Sequence, residues 1–376
     1  MFYKNARIFC SDFQFRLGAF EVTDGCFGAV LPENIPEDAV DLAGATVIPG
    51  LIDVHTHGNS GADFSDGDYE GLKKMAAFSA KNGVTGFAPT SMTLPYDVLE
   101  KAFATARRLA DEAPAGCARL LGIHMEGPYF CEKRKGAQNG AYLKNPDYEG
   151  FKALYEGCGG LVRIVDLAPE LPGSREFVSQ ASKLCTVSVA HTDSDYAHAK
   201  DAFDHGATHL THLFNVMPPI HHRTPGVIPA ASENPKVRAE LICDGMHVHP
   251  TTVRLAFAIF GGERIILISD SLRCCGMPDG EYELGGQPIL LKDGLARLLD
   301  GTVAGSAINL FDGMVNVIRF GIPEADAIRA ATFNPACALG VQDRVGSIAP
   351  GKAADFIVCR SDYTGKRVFL GGQEIS

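Results

Sequence analysis

Residues 47–61 read "VIPGLIDVHTHGNSG". An apolar run of strand length ends in two histidines one residue apart and then breaks on glycine. The same grammar recurs along the chain. Apolar or β-branched runs with a polar end occur at 51–57, 84–90, 119–126, 162–168, 186–191, 207–212, 239–245 and 265–270. Between most of them lie amphipathic stretches such as "YEGLKKMAAFSAKNG" and "YDVLEKAFATARRLADEA", whose apolar residues recur at helical spacing. Eight strands separated by helices predict an α/β fold of the (β/α)8 TIM-like barrel type. A doubly wound open sheet is the main rival. It is disfavoured because no GxGxxG follows the first strand.

Outside this alternation the character changes. Residues 2–47 carry short β-like runs broken by Gly, Asp and Pro, and the tail does the same in "ADFIVCR" and "KRVFLGGQEI". A discontinuous β unit built from 1–47 and 341–376 is therefore expected beside a barrel over 48–340. Residues 127–161 and 213–238 are long connections, of the kind that more often carry function than fill space. A further insertion, "DGEYELGGQPILLKDGLARLLDGTVAGS", reads as β-hairpins.

The bulk numbers exclude several classes. A chain of 376 residues with 46% hydrophobic and 21% charged residues has ample material for a core. Its net charge of −11 argues against nucleic acid as a partner, although a local Arg or His can still hold a small anion. No apolar run reaches the 18 residues of a membrane span, and "MFYKNARIFC" lacks a signal-peptide pattern. The eleven cysteines are scattered without a CxxC, so reduced, packed thiols and a cytoplasmic location are expected.

The strand ends carry the chemistry. Alternate residues of a strand share a face, so His55 and His57 can both point to the barrel axis. Alone, the pair is weak evidence for a metal. Its company is stronger, because Glu126, His191, His212 and Asp270 also end candidate strands. In such barrels these ends converge at one mouth. Mixed imidazole and carboxylate donors suit zinc or ferrous iron rather than calcium. Asp270, after the apolar "IILIS", is placed either as a general base beside an activated water or as one more ligand.

The motifs "PGLIDVHTHG", "HMEGPYF", "AHTDSD", "THLFNVMPP", "DGMHV" and "ISDS" occur in the order seen in the amidohydrolase superfamily. Within it the chain resembles the N-acetylglucosamine-6-phosphate deacetylases, and "GMPDGEYELGG", "GTVAGSAINL", "ATFNPACALG" and "GSIAPGKAADFIV" extend the likeness to the C-terminus. The resemblance implies a barrel with a small β-sandwich made from both termini. It implies hydrolysis of the acetamide of a phosphorylated amino sugar, with Glu126, His191 and His212 as core metal ligands and Asp270 as base, then acid. It further implies that Asn215 and Val216 hold the sugar phosphate, that His247 contacts the phosphate side, and that Arg223 reaches in from a neighbouring subunit of a homodimer. His55 and His57 would add a second metal, so two ions per chain are favoured over one. Close alternatives are the galactosamine epimer as substrate, or a dihydroorotase- or hydantoinase-like reaction. The latter two commonly use a carboxylated lysine where this chain has Glu126.

Gln138 stands where some of these deacetylases carry a histidine. It reads as a substrate-contacting donor, with an exposed loop residue as the alternative. His124 shares a face with Glu126 and could bond behind it. His209 is expected to pack outward, opposite His212. His198 and His205 are expected on a helix surface, and His221, His222 and His249 in solvated loops. Cys274 and Cys275 follow Asp270 closely, but neither has an obvious base.

Overall fold

A computed structural model describes residues 1–375. The eight barrel strands are β1 (Leu51–Thr56), β2 (Val84–Ser91), β3 (Ile123–Tyr129), β4 (Val162–Leu167), β5 (Thr186–Val189), β6 (His209–Leu210), β7 (Arg238–Ile242) and β8 (Ile265–Ile268). All run parallel, each beside the next. The ring closes between β8 and β1 through a parallel bridge of Thr56 with Ser271 and a hydrogen bond from Asp270 N to His55 O at 2.9 Å. The (β/α)8 reading holds.

The strands alternate between two cores, as a barrel wall must. On β7, Ala239 and Leu241 join the large apolar layer between strands and helices. Ile242 instead joins a compact inner cluster with Ile52, Val54, Ala88, Ile164, Ile266 and Ile268. The helices meet the wall with matching stripes. In the helix Tyr69–Lys81, Leu72, Met75, Ala76, Ser79 and Ala80 are buried, the i, i+3, i+4 repeat of a one-sided helix. Its start is fixed by Asp68, whose carboxylate accepts from the N–H groups of Glu70 and Gly71.

Strands from the two ends of the chain form one eight-stranded sheet. Thr46–Pro49 lies between Phe2–Phe9 and Phe356–Cys359 at its centre. The sheet curls back on itself, with Phe27 and Gly351 hydrogen-bonded across the gap. It encloses a core of Tyr3, Phe20, Phe27, Phe356 and Phe369. Ring centroids lie 5.0 Å apart for Tyr3–Phe20 and 4.4 Å for Phe356–Phe369, contacts worth about 0.5–1.5 kcal/mol each beyond the area they bury. The insertion after β8 folds as an antiparallel sheet over Gly280–Ser306. Its inner face packs Leu284, Ile289 and Leu291 on Leu272 and Cys274. Cys274 is thus a core residue, and burial raises the thiol pKa to about 11. Cys275 is likewise buried, with its pKa raised to about 12. Burial thus disfavours the thiolate at both positions.

Several strands stop short of the expected limits. β5, β6 and β8 end at Val189, Leu210 and Ile268, two residues before His191, His212 and Asp270. Each of those three residues has a left-handed backbone, with φ of 43°, 32° and 46°. L-residues other than glycine, and occasionally Asn or Asp, seldom adopt that conformation, and where it occurs it marks local strain. A kink at the strand end, rather than the pleat, aims these side chains.

Candidate active site

The C-terminal mouth of the barrel holds a cavity of about 260 Å³. His57, Glu126, His191, His212 and Asp270 line it, and His55 sits buried directly behind them. His55 lies in β1 and Glu126 in β3, while His57, His191, His212 and Asp270 each sit just past a strand. All are buried. Glu126 is the centre of the group. Its Oε1 lies 3.1 Å from His191 Nε2, 3.2 Å from His212 Nε2 and 3.6 Å from His55 Nε2; its Oε2 lies 3.4 Å from His57 Nε2. Asp270 Oδ1 approaches His57 Nε2 at 3.3 Å and His55 Nε2 at 3.5 Å.

These spacings can be tested against a metal. Ligand atoms on a tetrahedral zinc with bonds of roughly 2.0–2.1 Å lie about 3.3 Å from one another. Glu126, His191 and His212 meet that requirement, with their atoms 3.1–3.2 Å apart. His55, His57 and Glu126 form a looser overlapping set, and His55, His124 and Glu240 a third group behind it. The hydrogen bonds behind the rings agree. Nδ1 of His55 faces Glu240 Oε2 at 2.9 Å, that of His57 faces Thr90 O at 3.1 Å, and that of His191 faces Arg134 O at 3.0 Å. Each Nδ1 therefore carries the proton and turns the Nε2 lone pair to the cavity. His55 Nε2 is buried with no hydrogen-bond partner at all, and His191 and His212 set Nε2 against Nε2 at 3.1 Å. An orphaned buried nitrogen and two facing nitrogens fit a divalent cation.

The electrostatics follow from this crowding. Burial works against charge on His57 and His212, but the carboxylates Asp270 and Glu126 outweigh it and hold both pKa values up at about 9. Burial likewise opposes ionisation of Glu126 and Asp270, yet the surrounding imidazoles keep both below their ordinary range. Gly305 lets the Asp270 turn pack closely. A Cβ there would lie 2.6 Å from Asp270 O and 3.0 Å from its Oδ1.

Gln138 is buried, which removes the exposed-loop alternative. Its Oε1 accepts from Thr93 N at 2.8 Å, so its Nε2 donates to Glu126 Oε2 at 2.5 Å. Asn215 and Val216 line the cavity wall. Val216 has φ of 49°, an outlier for a β-branched residue. His247 also lines the wall, but its nitrogens already meet acceptors, Asp244 Oδ2 at 2.6 Å and Ala304 O at 2.9 Å. Burial opposes its charge and Asp244 more than offsets that, raising its pKa. Arg223 is exposed and does not line this chain's cavity.

One expectation is overturned. His209 does not pack outward; it is buried inside the barrel with Nε2 2.9 Å from Glu240 Oε1. The left-handed kink at His212 breaks the two-residue alternation that the expectation assumed. His124 does bond behind the site, donating from Nδ1 to Val54 O and from Nε2 to Asp166 Oδ1, each at 2.9 Å. The sequence reading passed over three buried carboxylates within barrel strands, Asp53, Asp166 and Glu240, besides Asp63 and Asp355 outside them. The signal was present in "LIDVH", "VRIVDLA" and "AELIC", where one acid interrupts each apolar strand. His198, His221, His222 and His249 are exposed and His205 caps a helix end, as expected for surface positions.

The amidohydrolase family model matches residues 46–375. The chain belongs to the amidohydrolase family. This amidohydrolase is 38% identical over 353 residues to the N-acetylglucosamine-6-phosphate deacetylase of Bacillus subtilis, covering 92% of this chain and 89% of that one. It is 32% identical over 356 residues to the N-acetylgalactosamine-6-phosphate deacetylase of Escherichia coli O157:H7, covering 94% and 93%. Among solved structures, a mutant N-acetyl-D-glucosamine-6-phosphate deacetylase from Mycobacterium smegmatis, in complex with N-acetyl-D-glucosamine 6-phosphate, superposes with a TM-score of 0.93. The two are 30% identical, and the match covers 100% of this chain and 99% of that one. This amidohydrolase is a hydrolytic, metal-dependent enzyme, and among its described residues no helix is long and apolar enough to cross a membrane.

Proposed function

We propose that the chain hydrolyses the acetamide of N-acetyl-D-glucosamine 6-phosphate to D-glucosamine 6-phosphate and acetate. The carrying observation is the ring of imidazole and carboxylate donors at the barrel mouth, in a chain whose relatives at 38% and 34% identity are deacetylases of that compound. Glu126, His191 and His212 would hold one zinc or iron ion. His55 and His57, with Glu126 shared and Asp270 alongside, would hold a second. A divalent cation bound there supplies a Lewis acid that polarises a carbonyl and acidifies water.

The chain's own groups do the rest. Asp270, held anionic at the cavity floor, accepts a proton from the attacking water and returns it to the amide nitrogen. The new C–O bond forms first, and the C–N bond then breaks as the nitrogen takes up that proton; the acid's remaining proton passes to the amine, leaving acetate and an ammonium group. Gln138 braces Glu126 and borders the cavity as a substrate-contacting donor. The Asn215–Val216 backbone suits the phosphate end, with His247 on the same wall.

Arg223 would reach the phosphate of a neighbouring subunit in a homodimer, consistent with its exposure and its absence from its own chain's cavity. Mixing Arg223→Ala chains with Asp270→Asn chains should then restore activity. Each hybrid dimer has one cavity with both native residues, and mixtures no more active than their parts would rule out the shared site. The eleven free thiols suit a reducing, cytoplasmic setting.

Acetate release from N-acetylglucosamine 6-phosphate by metal-loaded protein tests the central claim, and an inert preparation would sink it. The 32% identical galactosamine-6-phosphate relative supports a second reading. The ratio of kcat/KM on the two epimers decides between them.

A further inference from the structure

Glu240 sits in the middle of β7 with no exposure to solvent. A buried carboxylate costs several kcal/mol unless it is fully paired, and an apolar residue would fill that place at no such cost. Its partners show what it does. Oε2 accepts from His55 Nδ1 at 2.9 Å and from the backbone N–H of His212 at 3.3 Å; Oε1 accepts from His209 Nε2 at 2.9 Å. The next residue of the His212 turn is tied to the same place, since Leu213 N donates to Glu240 O at 2.8 Å. One side chain on β7 thus touches a ring from β1, a ring from β6 and the backbone of the kinked turn that aims His212.

We propose that Glu240 is a positioning residue that orients His55 for the second metal ion. The inference rests on the two-ion reading of the site and goes beyond it, because Glu240 touches neither cavity nor substrate. Two features separate this from an ordinary buried ion pair. First, Nε2 of His55, on the far side of the ring from Glu240, is buried without a partner, as is Nδ1 of His212, so the hydrogen bond at His55 Nδ1 decides which of its nitrogens offers a lone pair. Second, His124 lies beside His55 at 4.6 Å between ring centroids, yet it pairs with Asp166 and Val54 O. Glu240 is therefore the carboxylate left to serve His55.

Glutamine at 240 keeps the shape but can accept through only one of its two terminal atoms. It cannot accept from His55 and His209 together unless one imidazole shifts its tautomer. Outer partners of metal-ligating histidines typically change affinity about 10–100-fold.

The test is titration of metal-free wild type and Glu240→Gln with Zn²⁺ by calorimetry, with Co²⁺ absorption spectra and thermal unfolding of the metal-free proteins in parallel. The expected result is two ions in the wild type. In Glu240→Gln the weaker ion should lose about 10–100-fold in affinity, the tighter one should stay within about threefold, and the cobalt spectrum should change for one site only. Glu240→Asp, which keeps the charge but retracts it, should fall between the two. Two ions bound by Glu240→Gln with wild-type affinity and spectrum would overturn the role of Glu240 alone. Equal loss at both sites with a matching drop in unfolding temperature would also overturn it, as a general folding defect. A wild type that binds only one ion would remove the two-ion reading and this inference with it.

Discussion

Two groups of histidines and carboxylates lie one above the other in the barrel, and they differ in how their polar atoms are spent. At the mouth, His55, His57, His191 and His212 turn Nε2 toward Glu126 and Asp270, with His55 Nε2 lacking any hydrogen-bond partner. Inside the wall, His124 has an acceptor at each nitrogen, and Glu240 is bonded through both oxygens. The residue types are the same. The inner group spends nearly all its polar atoms on itself, with Asp166 Oδ2 left over, whereas the mouth aims nitrogen and carboxylate donors at a common point, an arrangement that calls for an ion.

Asp270→Asn should break the mouth alone. Loss of a general base predicts a fall in kcat of about 10²–10⁴-fold, with metal content by elemental analysis and unfolding temperature close to wild type. An active variant would reassign Asp270 to a purely ligating role.

Asp166→Asn should break the inner group alone. It leaves the His124 imidazolium buried without its counter-charge, a loss of roughly 3–5 kcal/mol in chemical denaturation. The remaining folded protein should keep its metal.

The pH dependence sharpens the contrast. Burial disfavours the charged His124, but Asp166 and its neighbours lift the pKa from 6.5 to about 10. A raised folded-state pKa gives stability fully present below about pH 6.5 and lost as pH rises through about 10. Metal-free protein should therefore weaken toward alkaline pH, and Asp166→Asn should flatten that slope.

At the mouth the sign is opposite for metal. His57 and His212 hold protons up to about pH 9 in the metal-free site, and an ion must displace them. Apparent affinity should weaken by about tenfold or more per pH unit below 9, with proton release detectable in calorimetry in buffers of different ionisation enthalpy. Affinity independent of pH would mean that these two imidazoles are not ligands.

Strand–helix alternation is local, so the barrel was legible from periodicity, and so were the six polar residues at or near its strand ends, although Glu126 lies inside β3 rather than at its end. The hairpin insertion and the β-rich termini were legible for the same reason. His209 was misread because a two-residue alternation cannot foresee a left-handed turn at His212. Asp53, Asp166 and Glu240 were passed over because nothing local says which partner a lone acid in an apolar strand will meet. Gln138 reads from sequence as a substrate-contacting donor, but its bond to Glu126 appears only when the segment after β3 folds over the mouth.

By itself the sequence determined which side chains could carry chemistry, because residue type and strand position are properties of a short segment. The tertiary structure decided which of them share an ion and which merely satisfy one another. Those are questions of hydrogen-bond pairing between strands far apart in sequence, and only closure of the barrel brings side chains from β1, β3, β6 and β7 into contact.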